Sequence, residues 1–296
     1  PSPAARCAPT PLPSFADNGR KISALPLAAF LALVPAGALG QGPRARSLDY
    51  LMLATVDDVR ATWVNPAGLA RVLEASVMAE LVVDRALDGT LRLGQYTLGM
   101  NSRGLSLSYL RDRIPDTVSV SVWRLGFSMP FPRGSLGLAI SQYRSVGEDE
   151  GLDFGARFTP LAKVDLGFVA RNISRPFVRG TRLPLSGVLG AAWTAVPEMV
   201  QIAAEAEAVE RRVLGGQDWR YRGVLHLATR GSRVGMVLAA DLNQDGSFGR
   251  WTLGVHIGGT DRAGMFGSAS PAGGLGRIDR LSAVGVASRR GPGMAR

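Results

Sequence analysis

The stretch Leu152–Thr159 reads L-D-F-G-A-R-F-T. In an extended chain Leu152, Phe154, Ala156 and Phe158 share one face, and Asp153, Gly155, Arg157 and Thr159 share the other, because successive strand side chains point to opposite sides. The next run has the same period, with Val164, Leu166, Phe168 and Ala170 against Asp165 and Arg171. Three later runs repeat it. Their polar faces carry Gln201, Glu205 and Glu207; then Arg220, Arg222 and His226; then Thr252, Gly254 and His256. From Glu74 to Ser288 the rhythm continues in runs of about 8–12 residues, divided by polar or Gly-rich turns.

One face of nearly every run is apolar, and the opposite face mixes small residues with single charges. The solvent face of a β-sandwich is usually rich in Lys and Thr. Small residues alternating with isolated charges suit a curved wall with a polar interior and an exterior that meets lipid. Tyr109, Trp123, Trp193, Trp219 and Trp251 stand near run ends, where an interfacial aromatic girdle belongs. The expected fold is all-β, an antiparallel transmembrane β-barrel of about fourteen strands with a short N-terminal plug segment. The strands are expected at 75–84, 90–100, 103–112, 117–129, 135–145, 151–159, 162–172, 184–196, 199–210, 218–228, 232–241, 250–258, 262–269 and 281–288. Tight turns such as Arg133-Gly134 fall at one rim, and longer links such as 173–183 and 211–217 at the other.

Upstream, the character of the chain changes. Residues 1–19 are rich in Pro, Ala and Ser without periodicity, the composition of a disordered segment or one outside the mature protein. Cys7, the single cysteine, has no internal disulfide partner and precedes the apolar stretch that a lipidation cysteine should follow. Arg20 and Lys21 lead into a short apolar run, interrupted by Pro26 and Pro35, with a small-residue exit at Ala38 or Gly40. This is the layout of a secretory signal, too short and broken for a spanning helix. The expected divisions are a presequence and signal peptide over 1–40, a plug or hatch over 41–70, a barrel over 71–288 and a basic tail over 289–296.

The formal net charge is +10, which raises nucleic acid as a partner. The pattern argues against it. Only Lys21 and Lys163 are lysines, and the arginines stand singly along strands and turns rather than massed with aromatic residues.

The link between the signal-like stretch and the first strand is Arg46–Ala70. An apolar run ends in Asp57 and Asp58, and Trp63, Asn65, Pro66, Ala67, Gly68 and Leu69 follow. Pro66 pushes Asn65 out of the helical region, and Gly68 is expected to supply freedom to turn. This stretch resembles the mature N-terminus of FadL-type outer-membrane barrels and their PorV/PorQ-like relatives, where an Asn-Pro-Ala-Gly-Leu motif leads from an internal hatch into the barrel. The match is close over Arg46–Ala70, and the rest agrees in strand rhythm. Asp49-Tyr50-Leu51-Met52 stands where a Gly-rich run usually precedes the acidic pair, and the barrel is short for a long-chain fatty-acid transporter. Such barrels are also found joined to downstream domains, including S49-type signal peptide peptidases, and the end of this sequence lacks the terminal aromatic of outer-membrane barrels.

No nucleophile elbow, P-loop or dinucleotide fingerprint is present. His226 and His256, the two histidines, fall on polar faces without cysteine or a third ligand in view, so no metal site or cofactor is expected. Residues 241–246, D-L-N-Q-D-G, begin like a calcium loop, but Thr252 stands where its bidentate Glu belongs. A hairpin turn at Asp245-Gly246 is the simpler reading. The functional expectation is a non-enzymatic barrel of the bacterial outer membrane, in contact with its lipid, that admits or holds hydrophobic small molecules. The alternative is a structural barrel anchoring a secretion or protease partner. Asp153, Arg157, Asp165, Arg171, Glu205, Glu207, Arg220, Arg222, His226 and His256 are expected to line the lumen. Asp57 and Asp58 are expected to find partners among Arg157, Arg171 and Arg222.

Overall fold

The computed structural model describes residues 43–71, 75–85, 89–113, 119–197, 199–211, 215–229, 234–257, 263–269 and 278–289. Cys7, the signal-like stretch 1–40 and the tail beyond Arg289 lie outside these residues. Fourteen antiparallel strands close into a barrel. They are β1 (Ala75–Arg85), β2 (Leu91–Ser102), β3 (Leu105–Asp112), β4 (Val120–Phe131), β5 (Gly134–Arg144), β6 (Glu148–Leu161), β7 (Val164–Arg171), β10 (Ser186–Val196), β11 (Val200–Glu210), β12 (Gln217–Ala228), β13 (Val234–Asn243), β14 (Phe248–Ile257), β15 (Ala263–Ala269) and β16 (Arg280–Arg289). Each strand pairs with its sequence neighbour, and β16 closes on β1 with Glu80 opposite Val284. The link after β7, expected as an irregular loop, holds a hairpin of its own: β8 (Phe177–Val178) and β9 (Thr181–Arg182) turn through Arg179 and Gly180, both at positive φ.

The alternation becomes an inside and an outside. On β5 Leu136, Leu138 and Ile140 are exposed, while Ser135, Ala139 and Ser141 are buried. On β1 Val77 and Leu81 face out, each 54% exposed, and Ser76, Met78 and Glu80 face in. In a water-soluble fold such an apolar outer wall would be unfavourable, and in a bilayer it is the lipid contact. Two-residue turns at 103–104, 132–133 and 162–163 mark one rim. The longer links, 145–147, 172–185 and 244–247 among them, mark the other. Tyr96, Tyr109 and Trp123 form a chain of tilted rings near the long-link rim, at 6.0 and 4.8 Å between neighbours. Trp193 lies near the short-turn rim, where interfacial aromatics anchor a barrel.

Residues 43–71 occupy the interior. Two single-turn helices, α1 (Ser47–Tyr50) and α2 (Ala61–Val64), are followed by a 3-10 turn over Pro66–Ala70. Asn65, at φ −154° and ψ 104°, ends α2 and caps the 3-10 turn, the extended geometry that a following proline imposes. Tyr50, Leu53, Val59 and Leu69 are at most 1% exposed. Burial of one such side chain stabilises by about 1.5–3 kcal/mol, so the segment has an apolar reason to stay inside a polar-walled barrel.

Candidate functional site

The site is the seam between the interior segment and the barrel wall. It starts with glycines at inward positions of consecutive strands. A Cβ on Gly137 would run into the Pro66 and Ala67 backbone, and one on Gly155 into the Asn65 amide oxygen and the Pro66 ring. A Cβ on Gly126 would meet Ser106 Oγ on the wall and the end of the Leu69 side chain, and one on Gly167 would press more lightly on Leu53 and Ala54. Side chains at Gly137 and Gly155 would hold the Asn-Pro turn off the wall. Interior glycine in a strand signals a close backbone approach, so Gly137 and Gly155 were the available sequence clue to this seat. Gly68 is needed for the same reason rather than for turning freedom. It does not adopt positive φ, and a Cβ there would strike the Val56 carbonyl.

Asn65, fully buried, joins three parts of the chain. Its Nδ2 donates to the carbonyls of Leu53, at 3.1 Å, and Ala156, at 3.2 Å, while its Oδ1 accepts from the Ala67 amide at 3.1 Å. Single-turn helices leave most of their backbone carbonyls without intrahelical partners, and buried carbonyls need donors. The wall supplies them. Arg124 Nε donates to Thr62 O at 2.7 Å, Arg171 Nη2 to Val64 O at 3.2 Å, Arg157 Nη1 to Val56 O at 3.4 Å and Arg222 Nη1 to Leu48 O. Ser135 Oγ donates to Ala67 O at 2.6 Å.

Three of these arginines were expected to meet Asp57 and Asp58. They reach the segment through its carbonyls instead, because their carboxylate partners are on the wall. Arg157 pairs with Asp165 at 3.0 Å, Arg171 with Glu207 at 3.4 Å, and Arg222 with Asp241 at 2.7 Å and Glu205 at 3.8 Å. Asp58 pairs within the segment, with Arg60 at 2.5 Å. Asp57 and Asp58 both border a cavity near the short-turn rim.

On the β1 side Glu80, fully buried, accepts from Tyr50 Oη at 2.9 Å and Ser47 Oγ at 3.1 Å. The Tyr50 ring stacks on Phe266 at 3.7 Å. Asp49, 4% exposed, is paired with Arg250 at 3.4 Å and Arg280 at 3.7 Å. Burial pushes its carboxyl up, but Arg44, Arg250, Arg46 and Arg280 together outweigh burial and hold it at about 2. Burial, reinforced by Arg280, lowers the Arg46 guanidinium to about 10.

The remaining expected residues fall as follows. Trp63, 6% exposed, lies under Arg124, whose guanidinium carbon is 5.2 Å from the ring. Arg124 also pairs with Asp153. Glu205 accepts from the Leu53 amide at 2.6 Å. Glu205 is opposite Arg222 and Glu207 opposite Arg220 in the β11–β12 register, but Glu207 turns to Arg171. His226 and His256 meet across β13, Nε2 to Nε2 at 2.7 Å with ring planes within 16°, in space that the missing side chain of Gly235 leaves open. Among the described residues no three His, Cys, Asp or Glu groups converge as a metal site. Asp245 and Gly246 form the β13–β14 turn, where Asp245 accepts from the Ser247 amide at 2.9 Å.

Three cavities flank the segment. One of about 300 Å³ near the short-turn rim is bordered by Leu51, Met52, Val56, Val196, Met199 and Val200 along its apolar part. Two more, of about 220 and 100 Å³, lie toward the long-link rim and share Arg44, Leu48, Arg171, Glu207 and Arg220.

Solved structures align with this chain. The Pseudomonas putida toluene transporter TodX aligns with a TM-score of 0.51 at 10% identity, over 84% of this chain and 98% of its own. Omp33, an outer membrane protein of Acinetobacter baumannii, aligns at 0.45 and 12% identity, over 75% of this chain and 100% of its own. A mutant Rh. blastica porin aligns at 0.41 and 9% identity, over 73% and 99%. No protein-family model and no curated protein matches the sequence. At these identities the TodX likeness speaks for the fold. Fourteen strands, an apolar outer wall and closure without a free edge make the chain a β-barrel of the bacterial outer membrane.

Proposed function

We propose that this barrel admits or holds hydrophobic small molecules without chemical conversion, and that residues 41–70 are its hatch. The observation that carries the reading is the interior segment, whose apolar side chains are buried across the lumen and whose backbone is tied to β4, β5, β6, β7 and β12. A lumen filled in this way is unsuited to general diffusion of water-soluble solutes. The cavity beside Met52, Val56 and Met199 offers an apolar surface next to the hatch. The Asn-Pro-Ala-Gly-Leu resemblance to FadL-type and PorV/PorQ-like barrels supports the same reading, as does the shared fold of a toluene transporter.

The test is uptake of labelled toluene and of a labelled long-chain acid by cells that make the full chain. Expression should accelerate uptake of at least one over vector-only cells. Equal rates for both compounds would sink the proposal.

A further inference from the structure

The cavity of about 220 Å³ near the long-link rim has an unbalanced wall. Five guanidiniums line it, from Arg44, Arg171, Arg220, Arg222 and Arg250, against the carboxylates of Glu205, Glu207 and Asp241. Those carboxylates are already engaged, Glu207 by Arg171 and the other two by Arg222, and Arg250 turns to Asp49. Arg44 and Arg220 are left without an ion pair among the described residues, and both also border the adjoining cavity of about 100 Å³. The buried Nε atoms of Arg44 and Arg171 have no hydrogen-bond acceptor. Guanidiniums held at a low-dielectric wall, with donors unspent and an excess of positive charge, attract an anion and bind it through charge-assisted hydrogen bonds.

Size narrows the ligand. By the share of liquid volume of one water, about 30 Å³, the cavity holds the equivalent of about seven waters. A long alkyl acid is too large to enter whole. We propose that this cavity binds a small hydrophilic dianion of the dicarboxylate or phosphate class, with Arg44 and Arg220 as its primary ligands and Arg171 Nε as a further donor. The site lies toward the other rim from the apolar cavity, with Leu51 between the two, and does not depend on the hydrophobic-cargo reading.

Calorimetric titration of the full chain, folded in detergent micelles at neutral pH and low salt, tests this. Succinate and inorganic phosphate are the probes, with acetate and octanoate for comparison. Saturable binding of succinate or phosphate is expected. It should weaken at least tenfold in Arg220→Gln and in Arg44→Gln and be largely retained in Arg220→Lys. Neither arginine makes a direct ion pair among the described residues, and Asp49 and Glu207 keep Arg250, Arg280 and Arg171 as theirs, so both glutamine variants should keep the heat-modifiable gel migration of a folded barrel. If one fails to fold, the other decides. Absence of saturable binding, unchanged affinity in the glutamine variants, or octanoate binding tighter than succinate would overturn the assignment, the last by showing that an apolar tail drives binding.

Discussion

Replacing Asn65 by Ala isolates the docking of the interior segment. The substitution removes two donated hydrogen bonds and one accepted one. It leaves the Leu53 carbonyl and the Ala67 amide, both buried, without this side-chain partner. An unsatisfied buried backbone group costs about 1–3 kcal/mol, so the docked segment should lose about 3 kcal/mol. That corresponds to a roughly hundredfold fall in the ratio of docked to undocked segment. The barrel ladder does not pass through Asn65, so the unheated protein should migrate on a gel as wild type does. Limited proteolysis in micelles then reports on the segment alone. Asn65→Ala should be cut within residues 43–71 much faster than wild type. Asn65→Asp should be at least as labile, because it places carboxylate oxygens against the Leu53 and Ala156 carbonyls. Wild-type resistance in Asn65→Ala would refute the view that this side chain clamps the segment to the wall.

Gly155→Val places side-chain atoms against the Asn65 amide and the Pro66 ring and should weaken docking by about 1–3 kcal/mol, read by the same proteolysis. Asp49 is held at about 2 against an ordinary 3.8 by the surrounding arginines, so it contributes on the order of 2 kcal/mol that is present above pH 4 and is lost as pH falls toward 2. Protease resistance of the segment should therefore decline between pH 4 and pH 2 in wild type, while Asp49→Asn should lack that step and be labile already at pH 5. Leu166→Cys and Leu253→Cys, on the outer wall, should react with a lipid-soluble thiol reagent. Asp165→Cys and Thr252→Cys, buried on the inner wall, should resist that reagent, and the reverse pattern would contradict the inside–outside assignment.

The strands were legible because a barrel between lipid and a polar interior forces period two on nearly every residue from Ala75 to Arg289. Fourteen runs read from alternation correspond to fourteen strands, with ends shifted by a few residues. The turn at Asn65-Pro66 was legible because proline restricts its predecessor. Partner choice was not. Alternation shows that Arg222 faces inward, but not that it meets Leu48, 174 residues away, as well as Asp241 on the neighbouring strand. Charges on one curved face have many opposite charges within reach, and the orphan carbonyls of two single-turn helices are invisible in side-chain pattern. The glycine seat was within reach, since Gly137 and Gly155 stand at inward positions that charged or polar residues occupy elsewhere. The β8–β9 hairpin is too short for alternation to reveal.

The central claim is that residues 43–71 close the lumen. Planar-bilayer conductance of a chain lacking Arg46–Thr62 tests it most directly, because the deletion removes α1, the acidic pair and the start of α2 while leaving every barrel strand intact. With the deleted chain shown to fold by its heat-modifiable migration, stepwise ion conductance well above that of the full chain is expected. Conductance equal to that of the full chain would mean that this segment does not occlude the barrel.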